Sequence, residues 1–298
     1  CSSSASSTGW TVWGKARPLC AGARWLFFNP RIVRALLSRR GGRLVWFSHD
    51  TGGVGLESHG AVHFGVNELG LVNVFTKDVG SMPEHAQRIW ASENALPEGG
   101  VSRELIMAQM KCSPASTTAP EEQLATALAN LNTISEAQLK GPLLRQHDKT
   151  QELLRDTHRF QCLDREGLFF LCKQLNRLIT ERLDVGLLRR MIPSPAGLDN
   201  AGSLRLLEAA LKGKVPDPRA LLAPLAGIYD LRHADAHLPG SDYTDALRLV
   251  GLDLSQPWIV TGARTIEIAA AAVQSVADSI AGSRLGDHSA GAAAASSD

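Results

Sequence analysis

Residues 62–74 read Val-His-Phe-Gly-Val-Asn-Glu-Leu-Gly-Leu-Val-Asn-Val and contain two short alternating runs, 62–66 and 72–74. In each run, β-branched or aromatic residues alternate with small or polar ones, the two-residue period of a β-strand. The segment between the runs, Asn-Glu-Leu-Gly, is a turn sequence that ends in glycine. We therefore predict a β-hairpin here. A further strand is predicted at 44–47, after a short basic helix between Asn29-Pro30 and Gly41-Gly42.

The pattern changes to a helical one after this region. Ser102 is suited to cap a short helix that runs to Met110. A Ser/Thr/Pro/Ala-rich stretch follows, and Pro120 then stands where a first-turn proline belongs. Apolar residues at helical spacing predict helices at about 120–140, 143–160, 168–183, 203–211, 218–238 and 256–280.

These patterns predict an α+β fold class, with a small mixed α/β N-terminal domain followed by an all-α bundle. The predicted organisation is an unstructured start at 1–22, an α+β domain at 23–112, a linker at 113–119, a helical bundle at 120–283 and a disordered Ala/Ser/Gly tail at 284–298.

The composition is that of a soluble globular protein, with 44% hydrophobic residues, 20% charged residues and a formal net charge of +1. No apolar run is long enough and free enough of charge to predict a transmembrane helix, so no membrane partner is expected. Five cysteines without a CxxC motif favour buried thiols in a reducing compartment, and hence the cytoplasm. We interpret the opening Cys-Ser-Ser-Ser as the artificial start of a fragment rather than as the end of a mature lipoprotein.

Residues 230–239 concentrate polar groups in a region otherwise rich in Leu, Ala and Gly, and read Asp-Leu-Arg-His-Ala-Asp-Ala-His-Leu-Pro. Such groups are costly to bury without partners, so we expect them to line a groove or to take part in catalysis. Because proline disfavours a helical conformation in the residue before it, the helix that begins at Pro218 is predicted to end near Leu238. His237 would then lie in the last turn, where free carbonyls favour an imidazolium that is suited to acid–base catalysis.

The spacing of these residues determines which of them share a helix face. On an ideal helix His233 and His237 are about 40° apart, Arg232 and Asp235 about 60°, and Arg232 and His237 about 140°. The two histidines therefore share a face. Arg232 and His237 would flank one groove only if the helix end is distorted or if a second copy of the chain contributes.

The segment Arg-His-Ala-Asp-Ala-His at 232–237 resembles the signature of the HEPN superfamily, in which an arginine precedes a polar residue and, a few positions later, a histidine. The resemblance covers the helical region at about 120–282 and leaves out the N-terminal third of the chain. It implies a HEPN-like helical bundle that acts as a metal-independent endoribonuclease. Its active site would form where two copies of the motif meet in a homodimer.

The resemblance also implies a role for each motif residue: Arg232 would hold the scissile phosphate, His237 would transfer protons and His233 would be the polar neighbour. Cleavage of RNA through its own 2′-hydroxyl needs a base, an acid and a cation on the phosphate, but no metal or other cofactor. One copy of the motif is short of groups for these roles, which favours a dimer. Nucleases of this kind act in toxin and phage-defence systems, where the N-terminal domain would bind a trigger ligand or partner, or choose the target.

Two other interpretations of the motif remain open. Arg232 and Asp235 could form an i,i+3 pair while His237 caps its own helix, which would leave a non-catalytic helical dimerisation or interaction module with a degenerate motif. Alternatively, His233 and His237 have the i,i+4 spacing of a helical zinc pair. The zincin pattern requires Glu where this chain has Ala234, and the candidates for a third ligand are His147 and His158.

The segment 137–190 contains 11 Lys or Arg against 7 Asp or Glu. Its RNA-binding candidates are Arg145, Lys149, Arg155 and Arg159. The interspersed acids Asp148, Glu152 and Asp156 favour an exposed ion-pair face at least equally.

Other conspicuous side chains are expected to be structural. The pair Phe169-Phe170 is predicted to be core. The histidines of the N-terminal domain are expected to be exposed, and its aromatic core is predicted to contain Trp25, Trp46 and Trp90.

Overall fold

A computed structural model describes residues 25–56, 60–194, 197–232 and 240–282. The chain divides into two compact units, Cys1–Ala119 and Pro120–Asp298. The first contains an antiparallel sheet with short helices and the second contains helices, which confirms the α+β fold class. The boundary between the units lies directly before Pro120, the predicted first-turn proline.

The first unit is built on one five-stranded sheet in which every neighbouring pair is antiparallel, in the order β1-β5-β4-β3-β2. Its strands are β1 (Trp25–Phe28), β2 (Gly42–Trp46), β3 (Thr51–Leu56), β4 (Gly60–Val66) and β5 (Val72–Phe75). Its helices are α1 (Arg31–Leu37), α2 (Thr76–Gly80), α3 (Glu84–Ala91) and α4 (Arg103–Lys111).

The predicted hairpin is confirmed as β4 and β5, with Val66 opposite Val72. In the turn, the amide of Gly70 donates to the carbonyl of Asn67 at 2.8 Å. Gly70 has a φ of 74°, a conformation that glycine adopts without steric cost.

Strand β3 was not predicted, although it lies between β2 and β4 in the sheet. Its sequence, Thr-Gly-Gly-Val-Gly-Leu, has a low intrinsic preference for strands. The glycines instead allow close approach of neighbouring backbone, because a Cβ on Gly52 would lie 2.4 Å from the carbonyl oxygen of Val45, and one on Gly55 would lie 2.1 Å from that of Gly60. Strand β1, at the opposite edge from β2, was also missed.

One face of the sheet, here called the inner face, forms the core of the first unit. Its buried side chains include Val54, Val62 and Phe64, and helix α1 contributes Ile32, Val33 and Leu36. Trp90 of α3 is almost fully buried and meets Phe28 edge to face, with 4.9 Å between ring centroids. The other two predicted core tryptophans, Trp25 and Trp46, are only partly buried.

The opposite, outer face is covered by α4 only over β4 and β5. A Cβ on Gly65 would lie 2.6 Å from the Cβ of Ser102, and the Ser102 amide donates to Oδ1 of Asn73 at 2.9 Å. Ser102 caps α4 as predicted, since its hydroxyl accepts the Leu105 amide. On β2 and directly after it, the outer-face side chains are exposed within the described part of the chain: Arg43, Val45 and Phe47.

The predicted linker is attached to the first unit through Glu104. The hydroxyl of Thr117 donates to Oε1 of Glu104 at 2.7 Å, and the hydroxyl of Ser48 donates to Oε2 at 2.6 Å. The amide of Asp50 donates to the same Oε2 at 2.9 Å. One carboxylate therefore joins the β2–β3 turn to residue 117.

The second unit consists of helices. They are α5 (Pro120–Leu139), α6 (Thr150–Asp156), α7 (Arg165–Leu178), α8 (Val185–Met191), α9 (Ser203–Leu211), α10 (Pro218–Leu231), α11 (Gly240–Val250) and α12 (Trp258–Gly282), with 3-10 turns at Arg159–Gln161 and Thr180–Arg182. No helix of the described ranges combines the length and apolar character that a membrane crossing requires. Helix α7 is central, as expected, and lies in one apolar cluster with α5, α10 and α12. Phe169 belongs to this core, but Phe170 is exposed, because it lies on the solvent side of α7 between the buried pairs Leu168–Phe169 and Leu171–Cys172.

The predicted helix at 143–160 is wrong over most of its length, since only Thr150–Asp156 is α-helical. Leu143 and Leu144 are buried, and Leu144 forms a β-bridge with Leu183. Their amides donate to side chains of α5, to Oγ of Ser135 and Oδ1 of Asn132, both at 2.8 Å. These side-chain acceptors replace the helical hydrogen bonds that the sequence pattern suggested.

Candidate functional site at the end of helix α10

The motif arginine lies at the end of α10. The helix starts as predicted, with Oδ1 of Asp217 accepting the Ala220 amide at 2.9 Å. It ends at Leu231, with Arg232 as its C-cap residue, so it is shorter than the predicted helix to Leu238. His233, Asp235 and His237 lie outside the described residues. The predicted angles between the motif side chains therefore stay predictions.

The guanidinium of Arg232 is held within its own chain. Its Nη1 donates to Oε1 of Glu181 at 3.0 Å, and its Cζ lies 3.9 Å from the centroid of the Tyr229 ring. The Arg232 side chain is 16% exposed, whereas that of Glu181 is 51% exposed. A cation that is both paired and stacked on an aromatic ring has little freedom to reorient.

Glu181 is itself positioned by the end of α7 and the 3-10 turn that follows. Nδ2 of the buried Asn176 donates to Oε1 of Glu181 at 2.7 Å, the same oxygen that accepts from Arg232. Oδ1 of Asn176 has no hydrogen-bond partner within the described ranges. A single carboxylate oxygen therefore receives two donors and orients the motif arginine.

Two further arginines meet this turn. Nη2 of Arg145 donates to the backbone carbonyl of Glu181 at 2.8 Å, and Nε of Arg182 donates to the carbonyl of Arg145 at 2.8 Å. The amide of Arg145 also donates to the carbonyl of Arg182 at 2.8 Å. We call Arg145, Asn176, Glu181, Arg182 and Arg232 the Glu181 cluster.

The Glu181 cluster has three guanidiniums and one carboxylate. Partial burial lowers the pKa of Arg182 from its ordinary value, although a guanidinium stays charged at any physiological pH. The excess of positive charge and the planar donors suit a phosphate, which guanidiniums bind through paired N–H groups. The sequence offered no local signal for Glu181 and Asn176, because they are about fifty positions before the motif.

The four RNA-binding candidates do not form one strip. Arg145 belongs to the Glu181 cluster, Lys149 is exposed, and Arg155 is exposed with its Nε 3.3 Å from Oδ1 of Asp156. Arg159 is buried, so its assignment to an RNA-binding surface is wrong.

The physical reason is an internal ion pair with Glu121 of α5. Nε and Nη2 of Arg159 donate to the two carboxylate oxygens of Glu121 at 3.0 and 2.8 Å. Burial acts to raise the pKa of Glu121, but the Arg159 charge and its hydrogen bonds outweigh it, and the pKa lies below its ordinary value.

The candidates for a third zinc ligand lie in different surroundings. His158 is buried beside Phe160, whereas His147 is exposed and its Nδ1 accepts the Lys149 amide at 3.1 Å. Across the described ranges, no group of three or more His, Cys, Asp or Glu side chains is arranged to hold a metal ion. The pair His233 and His237 lies outside those ranges.

The N-terminal histidines have local partners rather than a shared site. Nδ1 of His49 lies 2.7 Å from Oδ1 of Asp50, and Nδ1 of His63 lies 2.9 Å from Nε2 of Gln109. Burial lowers the pKa of His63, although the nearby charge of Asp78 opposes the shift. His59 lies outside the described residues.

No known protein family, curated protein or solved structure matches this chain.

Proposed function

We propose that this protein is a metal-independent endoribonuclease of the toxin or phage-defence type, with its active site at the end of α10. The observation that carries the proposal is the fixed orientation of the Arg232 guanidinium. Its guanidinium is oriented by Glu181 and Tyr229 at the start of the motif, and Arg145 contacts the same turn. A preorganised cation costs no reorganisation when negative charge develops on a bound phosphate.

The proposed reaction is attack of a ribose 2′-oxygen on the adjacent phosphorus. The P–O bond to the 5′-oxygen breaks, a 2′,3′-cyclic phosphate forms, and one proton passes from the 2′-hydroxyl to the leaving 5′-oxygen through the enzyme. Arg232 would stabilise the charge on the phosphate, His237 would transfer the proton, and His233 would be its polar neighbour. Neither a metal nor a cofactor is part of this scheme.

Two copies of the motif would meet in a homodimer, because one arginine and two histidines are short of the groups needed to act as base, acid and phosphate clamp together. We place this activity in the cytoplasm, with the first unit binding the trigger or the target. Both statements follow from the proposed enzyme class and not from a contact seen in the chain.

A non-catalytic dimerisation or interaction module is the second candidate, and it is favoured by the same ion pair. Glu181 neutralises Arg232 within one chain, and the arginine side chain is largely buried. An arginine whose charge is paired in this way can have a structural role in the bundle without binding any substrate.

Cleavage of total cellular RNA in excess EDTA distinguishes the candidates. We expect the wild type to cut RNA and to leave cyclic phosphate ends, and we expect Arg232→Ala and His237→Ala to lose the activity. His85→Ala, which removes an exposed histidine of α3 outside the motif, is the matched control and should retain it. Activity that requires added zinc would favour the His233/His237 metal pair. No cleavage by an intact dimer under any of these conditions would favour the interaction module.

A further inference from the structure

The first unit contains a concentration of unpaired positive charge at one edge of its sheet. Between residues 31 and 49 the sequence has five arginines and no acidic residue. All five are exposed, and none forms an ion pair with a described residue: Arg31, Arg34, Arg39, Arg40 and Arg43. By contrast, exposed arginines elsewhere in the chain, such as Arg88 and Arg248, have carboxylate partners.

The last three of these arginines lie in or directly before β2, an edge strand with exposed side chains on the outer face. Arg39 and Arg40 lie in the turn between α1 and the edge strand β2, and Arg43 is the second residue of that strand. Because side chains alternate along a strand, Val45 and Phe47 continue on the same side as Arg43. Val45 is 41% exposed and Phe47 is 54% exposed, although both are apolar.

The surface next to these side chains is shaped by glycine. Gly55 lies opposite Arg43 and Gly53 lies opposite Val45 in the β2–β3 register, so β3 presents only backbone at these two positions. A cavity of about 250 Å³ opens there, lined by Arg43, Val45, Gly53, Gly55, Leu56, Gly60 and Ala61. This is below the range of about 300–1,000 Å³ that holds drug-sized ligands.

Phe47 is placed to contribute an aromatic surface at the end of this groove. A Cβ on Gly53 would lie 3.1 Å from Cζ of Phe47, so the absent side chain leaves room for the ring. The rings of Phe47 and His63 meet in a T-shaped arrangement, with 5.0 Å between their centroids. His63 therefore supports the Phe47 ring from one side. An exposed aromatic ring beside glycine positions that carry no side chain is a surface on which a nucleobase can stack.

We propose that the outer face at Arg43 and Phe47, together with Arg39 and Arg40 of the turn that precedes β2, binds single-stranded nucleic acid. The arginines bind the backbone phosphates, and a base stacks on Phe47 beside the glycine groove. A duplex does not fit this arrangement, because stacking on Phe47 requires an unpaired base. An anionic lipid surface fits it less well, because the apolar residues of the basic helix α1, Ile32, Val33 and Leu36, are buried in the core and cannot insert into a bilayer. This inference concerns binding and stands without the proposed cleavage.

The test is binding of a labelled single-stranded oligonucleotide to the full chain, measured by fluorescence anisotropy over a series of salt concentrations. The probe is a 2′-O-methyl RNA, which cannot be cleaved through its 2′-oxygen, and a DNA strand of the same sequence is tested in parallel. Salt-dependent binding of either strand is expected. Absence of binding to both would overturn the proposal.

Two variants probe the surface. Arg39→Gln/Arg40→Gln/Arg43→Gln should weaken binding at least tenfold and reduce the slope of log affinity against log salt by about 2, because each phosphate contact on a single strand contributes about 0.7. Phe47→Leu keeps an apolar side chain but loses the aromatic face, and it should weaken binding by about fivefold or more.

The matched controls are Arg88→Gln/Arg248→Gln/Arg264→Gln, which removes the same charge from ion-paired positions, and Leu69→Ala, which removes an exposed apolar side chain from the β4–β5 turn. Equal weakening by the controls, or full affinity of Phe47→Leu, would overturn the proposal. Arginine-dependent binding to phosphatidylserine vesicles without oligonucleotide binding would do so as well, in favour of a lipid surface. Binding as predicted without cleavage of unmodified RNA would support this surface and contradict the proposed nuclease.

Discussion

The carboxylate of Glu121 receives three hydrogen bonds from Arg159, two from its guanidinium and one from its backbone amide. Both side chains are buried, 2% and 7% exposed, so this ion pair joins α5 to the 3-10 turn at 159–161 inside the bundle. A buried pair of this kind is costly to break, because the remaining charge has no opposite charge beside it and little contact with solvent.

We expect Arg159→Met to lower the free energy of unfolding by about 3–5 kcal/mol, since it leaves the Glu121 carboxylate buried without a charged partner. The double variant Arg159→Met/Glu121→Leu should recover most of this loss, because no buried charge remains. Urea unfolding measures both values. Arg155→Ala, at an exposed pair, is the control and should change stability by no more than about 0.5 kcal/mol. A double variant as unstable as the single one would contradict this account.

The same pair predicts a loss of stability in acid. The pKa of Glu121 in the folded protein lies below its ordinary value, so its contribution to stability is fully present at pH values above the unfolded pKa, about 4.3. It is lost as the pH falls through the lower folded pKa. Unfolding free energies measured from pH 7 downward should therefore fall more steeply for the wild type than for Arg159→Met/Glu121→Leu. Parallel pH profiles for the two proteins would show that Glu121 is not responsible.

Glu181→Gln tests whether the orientation of Arg232 matters for the proposed cleavage. The ion pair is partly exposed, so its loss should change the unfolding free energy by no more than about 1 kcal/mol. RNA cleavage should nevertheless fall by about fivefold or more, because the guanidinium loses its charged hydrogen-bond partner. Glu208→Gln, at another glutamate of the second unit, serves as the control. Unchanged cleavage would indicate that Glu181 has only a structural role.

Gly227→Ala tests the packing of α10, the helix that leads to the motif. Glycine to alanine in a helix is ordinarily stabilising by up to about 1 kcal/mol. Here, however, the new Cβ would lie 2.7 Å from the carbonyl oxygen of Ala246 in α11. We expect a loss of about 1–3 kcal/mol in thermal or urea unfolding, as in other overpacked sites. The control is Gly80→Ala in α2, where a Cβ meets nothing within 4 Å. A stabilised Gly227→Ala protein would contradict the close contact of α10 and α11.

Thiol labelling tests the burial of the cysteines. Burial raises the pKa of Cys162 to about 12 and raises that of Cys172 as well, whereas Cys112 is exposed. In a Cys1→Ser/Cys20→Ser background, native protein should react with one equivalent of a thiol reagent, and Cys112→Ser should abolish that reaction. Labelling of three equivalents without denaturant would show that the bundle core is open to solvent.

Local sequence signals were reliable where the determining interactions are themselves local. The β4–β5 hairpin depends on the alternation of neighbouring residues and on Gly70 in its turn. The starts of α4 and α10 depend on the side chains of Ser102 and Asp217, which accept amides three positions ahead. In these cases the donor, the acceptor and the pattern lie within one short segment, so the α+β fold class could be read from the chain.

The remaining features depend on residues that are distant in sequence. Strand β3 forms because β2 and β4 supply partners for its backbone hydrogen bonds, although its own sequence, Thr-Gly-Gly-Val-Gly-Leu, does not favour a strand. The extended segment at Leu143 is held by side chains of α5, and Arg159 is buried because Glu121 faces it.

For the candidate site, the motif at 232–237 was visible as a dense group of polar residues. Its partner Glu181 was not, because fifty positions separate it from Arg232 and only the packing of α7 against α10 brings them together. The sequence pattern thus established the classes of elements and the chemistry available to them. Which charges are neutralised, buried or left exposed was settled by the tertiary packing, since the energy of a charge depends on its solvent exposure and its nearest partners.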